Sequence, residues 1–185
     1  MEKVEYWDIY DKNKQRTGRQ MKRNDWCLKD DEYHLTVLGV VAHKDGRFLI
    51  TKRVMTKNWA PGWWEVSGGA AMAGEESREA VLREVKEETG LTLTHWRSRG
   101  LLTFIWGNMT EFIHLYTADG WTGEMIQGDA CREGVLEWVP KEKVEQLPIW
   151  EGDKIFFKLL NEEHPWFSLK LVYEGDVLRQ AVLDG

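Results

Sequence analysis

Glu84, Glu87 and Glu88 stand at positions i, i+3 and i+4 of a segment rich in strong helix formers. On a helix they share one face, where each like-charge neighbour costs about 0.2–0.5 kcal/mol when solvated and more once water is partly excluded. A hard cation resolves that conflict. Clustered carboxylate oxygens suit Mg²⁺, with Mn²⁺ as a second candidate, and such ions bind through a few carboxylates plus the phosphates of a substrate. Ala80 lies one turn before Glu84 on the same face and leaves room for ion and ligand. Arg83 sits beside the cluster and can pair with Glu87 one turn on. The glycines ahead of the helix, Gly68 and Gly69, let backbone groups approach a ligand closely. Glu76 and Glu79 read differently, as an ordinary solvated acidic face.

These residues need a scaffold. From Glu76 to Thr89 the residues predict a helix with Val81, Leu82 and Val85 as its apolar stripe and Gly90 as its C-terminal cap. Ahead of it "LTVLGVVA" reads as a buried strand, "HKDG" as a tight turn and "RFLITKR" as the returning strand. "WWEVSGG" follows the loop at Pro61 and Gly62 as one short strand running into the paired glycines. Behind the helix, "LLTFIW" and "EFIHLYTA" form strands around Gly107-Asn108, and "EGVLEWVP" another ending at Pro140. "KEKVEQL" and "EGDKIFFKLLNEE" read as helical, and "WFSLKLVY" with "VLRQAVL" as a closing hairpin. At the start, "YWDIYDKNKQRTGR" predicts a hairpin turning at Asp11-Lys12-Asn13, followed by a polar stretch from Gln20 to Asp31. Hairpins outnumber crossover connections, so the sheet is expected to be mixed or rich in antiparallel pairs, with helices on its faces.

Composition bounds the rest. A chain of 185 residues, 42% hydrophobic and 30% charged, suits a single domain over residues 1–185. Within it, 1–33 is expected to be an N-terminal hairpin and extension, 34–163 the core and 164–185 a C-terminal hairpin. No apolar run spans a bilayer, and the acidic start lacks the plan of a signal peptide, which implies a cytoplasmic protein without a membrane partner. Cys27 and Cys131 are too far apart in sequence for metal-type spacing and are expected as free thiols. A net charge of −6 argues against long nucleic acid as a partner while leaving a small metal-bridged anion open. His34, His43, His95, His114 and His164 are scattered and suggest no nucleophilic triad.

The full pattern is Gly69, five residues, Glu75, seven residues, then Arg83-Glu84-Val85-Lys86-Glu87-Glu88-Thr89-Gly90-Leu91. It matches every fixed position of the Nudix box, and the chain resembles the Nudix hydrolases, through the box over residues 69–91 and through its strand order over most of its length. That resemblance implies an α/β (α+β) fold, an α/β/α sandwich around a mixed sheet. It also implies Mg²⁺-dependent attack of water on a diphosphate linked to another moiety. Carried over residue by residue, Glu84, Glu87 and Glu88 are expected as metal ligands, with the Gly68 carbonyl as a further one and Glu75 and Arg83 holding them in place. Glu84 is the first choice of general base. Its rival is Glu133, in "GDACREGVLEW", where several Nudix enzymes place an additional acidic ligand or base.

"RGLLTF", "EGVLEWVP" and above all "LPIWEGD" resemble the MutT-type branch, which hydrolyses oxidised purine nucleoside triphosphates such as 8-oxo-dGTP; the tail resembles the terminal hairpin of animal enzymes of that branch. By this likeness Trp150 stacks on the purine, a contact worth about 1–3 kcal/mol, and Asp153 hydrogen-bonds its edge. The chain departs from the branch at Ala70, where many members carry lysine, and at Glu65, a base-reading position where some animal enzymes have asparagine. Glu65 joins Lys52 and Arg53 as further substrate-binding candidates.

The N-terminal "YWDIYDKNKQRTGR" with "YHL" resembles isopentenyl-diphosphate isomerases and a related Nudix subgroup, but no cysteine lies between Pro61 and Gly74 to support isomerisation. Hydrolysis of an isoprenoid or other non-nucleotide diphosphate is the alternative this likeness leaves. A catalytically silent Nudix binding module would have eroded box glutamates, and here all are present.

Overall fold

The computed structural model describes residues 3–56, 60–127 and 134–184. Aromatic and β-branched residues alternate with polar ones along its strands, as half-buried sheet requires. The N-terminal hairpin is β1 (Tyr6–Tyr10) and β2 (Arg16–Lys22), followed by β3 (Tyr33–Val41) and β4 (Arg47–Arg53). The short β5 (Trp64–Glu65) and β6 (Ser67–Ala70) lead into α1 (Ser77–Thr89), then β7 (Thr92–Trp106), β8 (Met109–Thr122) and β9 (Gly134–Pro140). A 3-10 helix, Lys141–Gln146, precedes α2 (Glu151–Asn161), and β10 (Phe167–Glu174) with β11 (Val177–Asp184) closes the chain.

The larger sheet has the order β11-β10-β7-β8-β3-β1-β2, with β6 also paired to β3, and the smaller has the order β5-β4-β9. The larger sheet is mixed: β3 runs parallel to β8 and β10 parallel to β7, while its other pairs are antiparallel. Each parallel pair has a helix in its connection, α1 between β3 and β8 and α2 between β7 and β10, as parallel pairing demands. Val81 and Val85 of α1 pack with Val37 and Val41 of β3 on one face. On the other face Phe156 and Phe157 of α2 pack with Leu102 of β7, Leu115 of β8 and Ile50 of β4. The fold is thus the mixed-sheet, helix-covered architecture expected above.

Three local expectations change. "WWEVSGG" is not one strand: it breaks at Val66, so that β5 pairs with β4 in the smaller sheet and β6 with β3 in the larger. Val66 is buried between the sheets and carries the chain from one to the other. "KEKVEQL" closes as a 3-10 helix because the extended Leu147, held away from helical angles by Pro148, leaves no room for another turn. β7 begins at Thr92, well before "LLTFIW", and its register against β8 shifts near His95 and Ser98, which masks the alternation in the sequence.

Candidate active site

Helix α1 is drawn tightly onto β3. Glycine at position 39 permits this, since a Cβ there would meet Val85 Cγ2 at 2.7 Å and Val81 Cγ2 at 2.9 Å. The helix ends on Gly90 in the left-handed region, φ 83°, whose N–H donates to the Lys86 carbonyl. This packing fixes the rim on which Glu84, Glu87 and Glu88 stand. With Gly68, Gly69 and Arg83 they line one cavity of about 1030 Å³. A Cβ on Gly69 would lie 2.6 Å from Glu84 Oε1, so a larger residue there would push this carboxylate from its present position.

Arg83 organises the rim. Its Nε and Nη2 donate to the two oxygens of Glu75 at 2.8 and 2.9 Å, and Nη2 also donates to the Ala70 carbonyl at 3.2 Å. Nη1 donates to Glu84 Oε1 at 2.9 Å and to Glu87 Oε2 at 3.2 Å. Burial acts to raise the Glu75 pKa, but the guanidinium and the Met72 N–H outweigh it and hold the carboxyl below the usual range. The Arg83 pKa is raised in turn, first by its hydrogen bonds to Glu75. At Glu84, whose side chain is 15% exposed against 58% for Glu87, burial wins over Arg83 and the pKa is raised. The Glu87 and Glu5 carboxylates add to that rise.

The three glutamates share the face that their spacing predicts, but their carboxylates do not converge. Among the described residues, no group of three or more His, Cys, Asp or Glu side chains stands together as a set able to hold a metal ion. Each carboxylate instead meets a donor: Glu84 and Glu87 share Arg83, while Glu88 Oε2 accepts from the Gly68 N–H at 3.1 Å. In kind the residues fit a hard divalent cation. They present carboxylate oxygens on one helix face, a glycine-cleared approach and, at Glu84, a poorly hydrated anion whose charge a cation would stabilise. Glu76 and Glu79 stay outside the cavity, Glu79 accepting from the Glu76 N–H at the start of α1 as in a capping box. Glu133 lies outside the described residues, as does Cys131; Cys27 is a free, exposed thiol.

The same cavity reaches the entrance of α2. Trp150 is half-buried there, 5.0 Å from the Trp63 ring at 41° and edge-on to Tyr173 at 5.7 Å and 88°. It is both a packing residue at a helix entrance and a lining residue. Asp153, Glu65 and Arg53 line the cavity beside it, and Arg53 Nη1 reaches both Glu65 oxygens at 2.9 and 3.0 Å. Burial, and then the Glu65 charge, push the Asp153 carboxyl up to about 7. Lys52 is not brought here. Strand alternation turns it outward, where its ammonium lies 5.9 Å from the centre of the Trp64 ring.

Several lining residues carried no signal of their own. Tyr173 accepts the Gly152 N–H on its hydroxyl at 2.8 Å, and burial pushes its phenol up to about 12. Its alternation with Leu169 and Leu171 was a legible sign of an inward face. His34, Glu111, Trp7 and Trp26 also line the cavity, although the sequence singled out none of them as a site residue. Among the described residues, no helix is long and apolar enough to cross a membrane.

A family model described as NUDIX domain matches residues 32–160. An uncharacterized Nudix hydrolase of Listeria monocytogenes is 35% identical over 169 residues, covering 90% of this chain and 96% of that protein. The oxidized purine nucleoside triphosphate hydrolase of Danio rerio is 28% identical over 152 residues, covering 81% of this chain and 93% of its own. Among solved structures, a MutT protein of Bacillus halodurans superposes with a TM-score of 0.72 at 28% identity, over 81% of this chain and 97% of that one. These relatives lend the isomerase likeness of the N-terminal hairpin no support.

Proposed function

Since the chain belongs to the NUDIX domain family and is a hydrolase of diphosphate-linked substrates, we propose that its substrate is an oxidised purine nucleoside triphosphate of the 8-oxo-dGTP type, cleaved to monophosphate and diphosphate. The observation that carries this reading is the continuity of one cavity from the glutamate rim of α1 to Trp150 and Asp153. A phosphate chain and a flat base attached to it need such a pair of ends. The likeness to the Danio rerio enzyme supports the same substrate class.

In this reading Glu84, Glu87 and Glu88, with the Gly68 carbonyl, hold Mg²⁺. The ion, when bound, neutralises charge on the phosphate oxygens and makes the attacking water more acidic. Glu84 would take the proton from the attacking water on its carboxylate, which stands on the cavity wall within the same rim. Arg83 fixes the Glu75, Glu84 and Glu87 side chains. At the other end Trp150 offers its ring to the base. Asp153, protonated up to about pH 7, donates to an acceptor on the purine edge and accepts once ionised.

The test is a Mg²⁺-supplemented hydrolysis panel of 8-oxo-dGTP, unmodified nucleoside triphosphates, nucleoside diphosphate sugars, dinucleotides and isopentenyl diphosphate, scored by kcat/KM. The oxidised purine should lead. Trp150→Ala should raise KM for purine triphosphates more than for simple diphosphate esters. Equal effects on both would reject stacking, and a preference for isopentenyl diphosphate would replace the nucleotide.

A further inference from the structure

Neither end of the cavity described so far uses the N-terminal hairpin, yet the hairpin walls it. Trp7 is 5% exposed and lies flat on the His34 imidazole, ring centres 4.6 Å apart at 10°. Trp26 stands edge-on to both, at 5.7 Å from Trp7 and 5.3 Å from His34. Trp7, Ile9 and Met21 form a small core of their own, and Ala70 of β6 packs against it. The hairpin is therefore seated beside the glycine loop, at the position where the family likeness leads one to expect a lysine.

His34 projects from β3 onto the cavity floor and is 2% exposed, but among the described residues neither ring nitrogen has a hydrogen-bond partner. Its Nε2 lies 3.2 Å from Glu111 Oε1 on the adjacent strand, near enough for an ion pair if the ring is protonated. A buried imidazole without a hydrogen-bond partner is costly to keep, and on a cavity wall it can be satisfied by a group that enters. A hydroxyl group fits: it can donate to Glu111 and accept from the imidazole N–H, while the indoles border the apolar side of the ring that carries it. A cationic ligand fits less well. The other nearby acid, Glu5, is already engaged, with Oε1 accepting from Trp7 Nε1 at 2.8 Å and Oε2 paired with Arg23 at 3.2 Å.

We propose that His34 and Glu111, walled by Trp7 and Trp26, form a subsite for a sugar hydroxyl of the substrate, and that the N-terminal hairpin makes this chain selective for the sugar as well as for the diphosphate. The inference rests on the reading of the cavity as a nucleotide site. The sugar is either the ribose of the nucleotide itself or a second sugar carried on the diphosphate.

Two substrate pairs separate these sources: an oxidised purine ribonucleoside triphosphate against its 2′-deoxy form, and a purine nucleoside diphosphate sugar against the same compound lacking one sugar hydroxyl. A site built to hydrogen-bond a hydroxyl penalises the analogue without it, and at least about a 10-fold preference in kcat/KM is expected in one pair. Glu111→Gln and His34→Phe, the second of which keeps the ring stacked on Trp7, should each shrink that ratio to within about 2-fold. Because each ratio is taken within one protein, a loss of folded enzyme does not alter it. No preference in either pair, or a preference that survives both substitutions, would overturn the subsite while leaving the nucleotide reading standing. If no member of either pair is hydrolysed, the nucleotide reading fails. Calorimetric titration with ribo- and deoxyribonucleoside monophosphates then decides the subsite alone, equal affinities counting against it.

Discussion

The two ends of the cavity handle acidic groups in opposite ways. On α1, Arg83 touches Glu75, Glu84 and Glu87 at once, so most of the negative charge there has a fixed partner. At the α2 entrance, Arg53 is committed to Glu65, and the half-buried Asp153 feels Glu65 as a like charge. The first arrangement orients the carboxylates and holds Glu75 ionised, although burial raises the pKa of Glu84 against the pull of Arg83. The second pushes a proton onto a carboxyl. One cavity thus holds an end whose acids are paired with a guanidinium, the ionised end, and a protonatable end, and the difference lies in burial and in which acid each arginine meets.

The largest effect should come from removing charge at the ionised end. Glu87→Gln takes one anion from the rim at a residue 58% exposed, so folding should be spared while turnover falls at least about 100-fold. Urea unfolding with an unchanged midpoint, together with the lost kcat, would confirm that the charge acts in catalysis. Near-normal kcat would show that the rim is merely a solvated face.

A smaller loss is expected at the organiser. Arg83→Lys keeps the positive charge but replaces the planar fork that grips both Glu75 oxygens with a single ammonium. A drop of about 10-fold in kcat/KM, carried mainly by kcat, is expected, with a modest fall in Tm. If Arg83→Lys matched wild type, charge alone would suffice and the fork geometry would be irrelevant to the contrast between the ends.

The ionised end was readable in advance because it is local. Residues 68–91 form the end of β6, one loop and one helix, so spacing alone fixes which side chains share a face and where Gly90 ends the turn. Rotamers were not readable: Glu88 turns to the Gly68 N–H and Glu84 to Arg83, choices made by the nearest donors. The other end is assembled from β4, β5, the α2 entrance and β10, which meet only in the folded chain. Trp150 and Asp153 were found through a family likeness, Lys52 was assigned to a wall that strand alternation turns it away from, and Tyr173 was missed. His34 and Glu111 show the same limit. They face each other through the parallel pairing of β3 with β8, a contact between distant segments that no local pattern announces.

The smallest effect is also the most direct test of the protonatable end. Asp153 has a folded-state pKa raised from 3.8 to about 7, so between those values the folded protein binds a proton that the unfolded chain does not. The stability this contributes is complete below the ordinary value and is lost as the pH rises through about 7. Asp153→Asn has no proton to lose there. Its Tm, compared with wild type from pH 4 to pH 8, should therefore gain on wild type as the pH rises, with most of the gain between about 5 and 7. The wild-type KM for a purine triphosphate should rise a few-fold, roughly 2–5, across the same upper range as the carboxyl stops donating, while the Asn variant stays flat. Parallel Tm curves for the two proteins would mean that Asp153 is ionised throughout, and the two ends would then differ only in shape. Glu65→Gln sharpens the point: removing the neighbouring charge should move the wild-type transition to lower pH without abolishing it, because burial, the larger cause, remains.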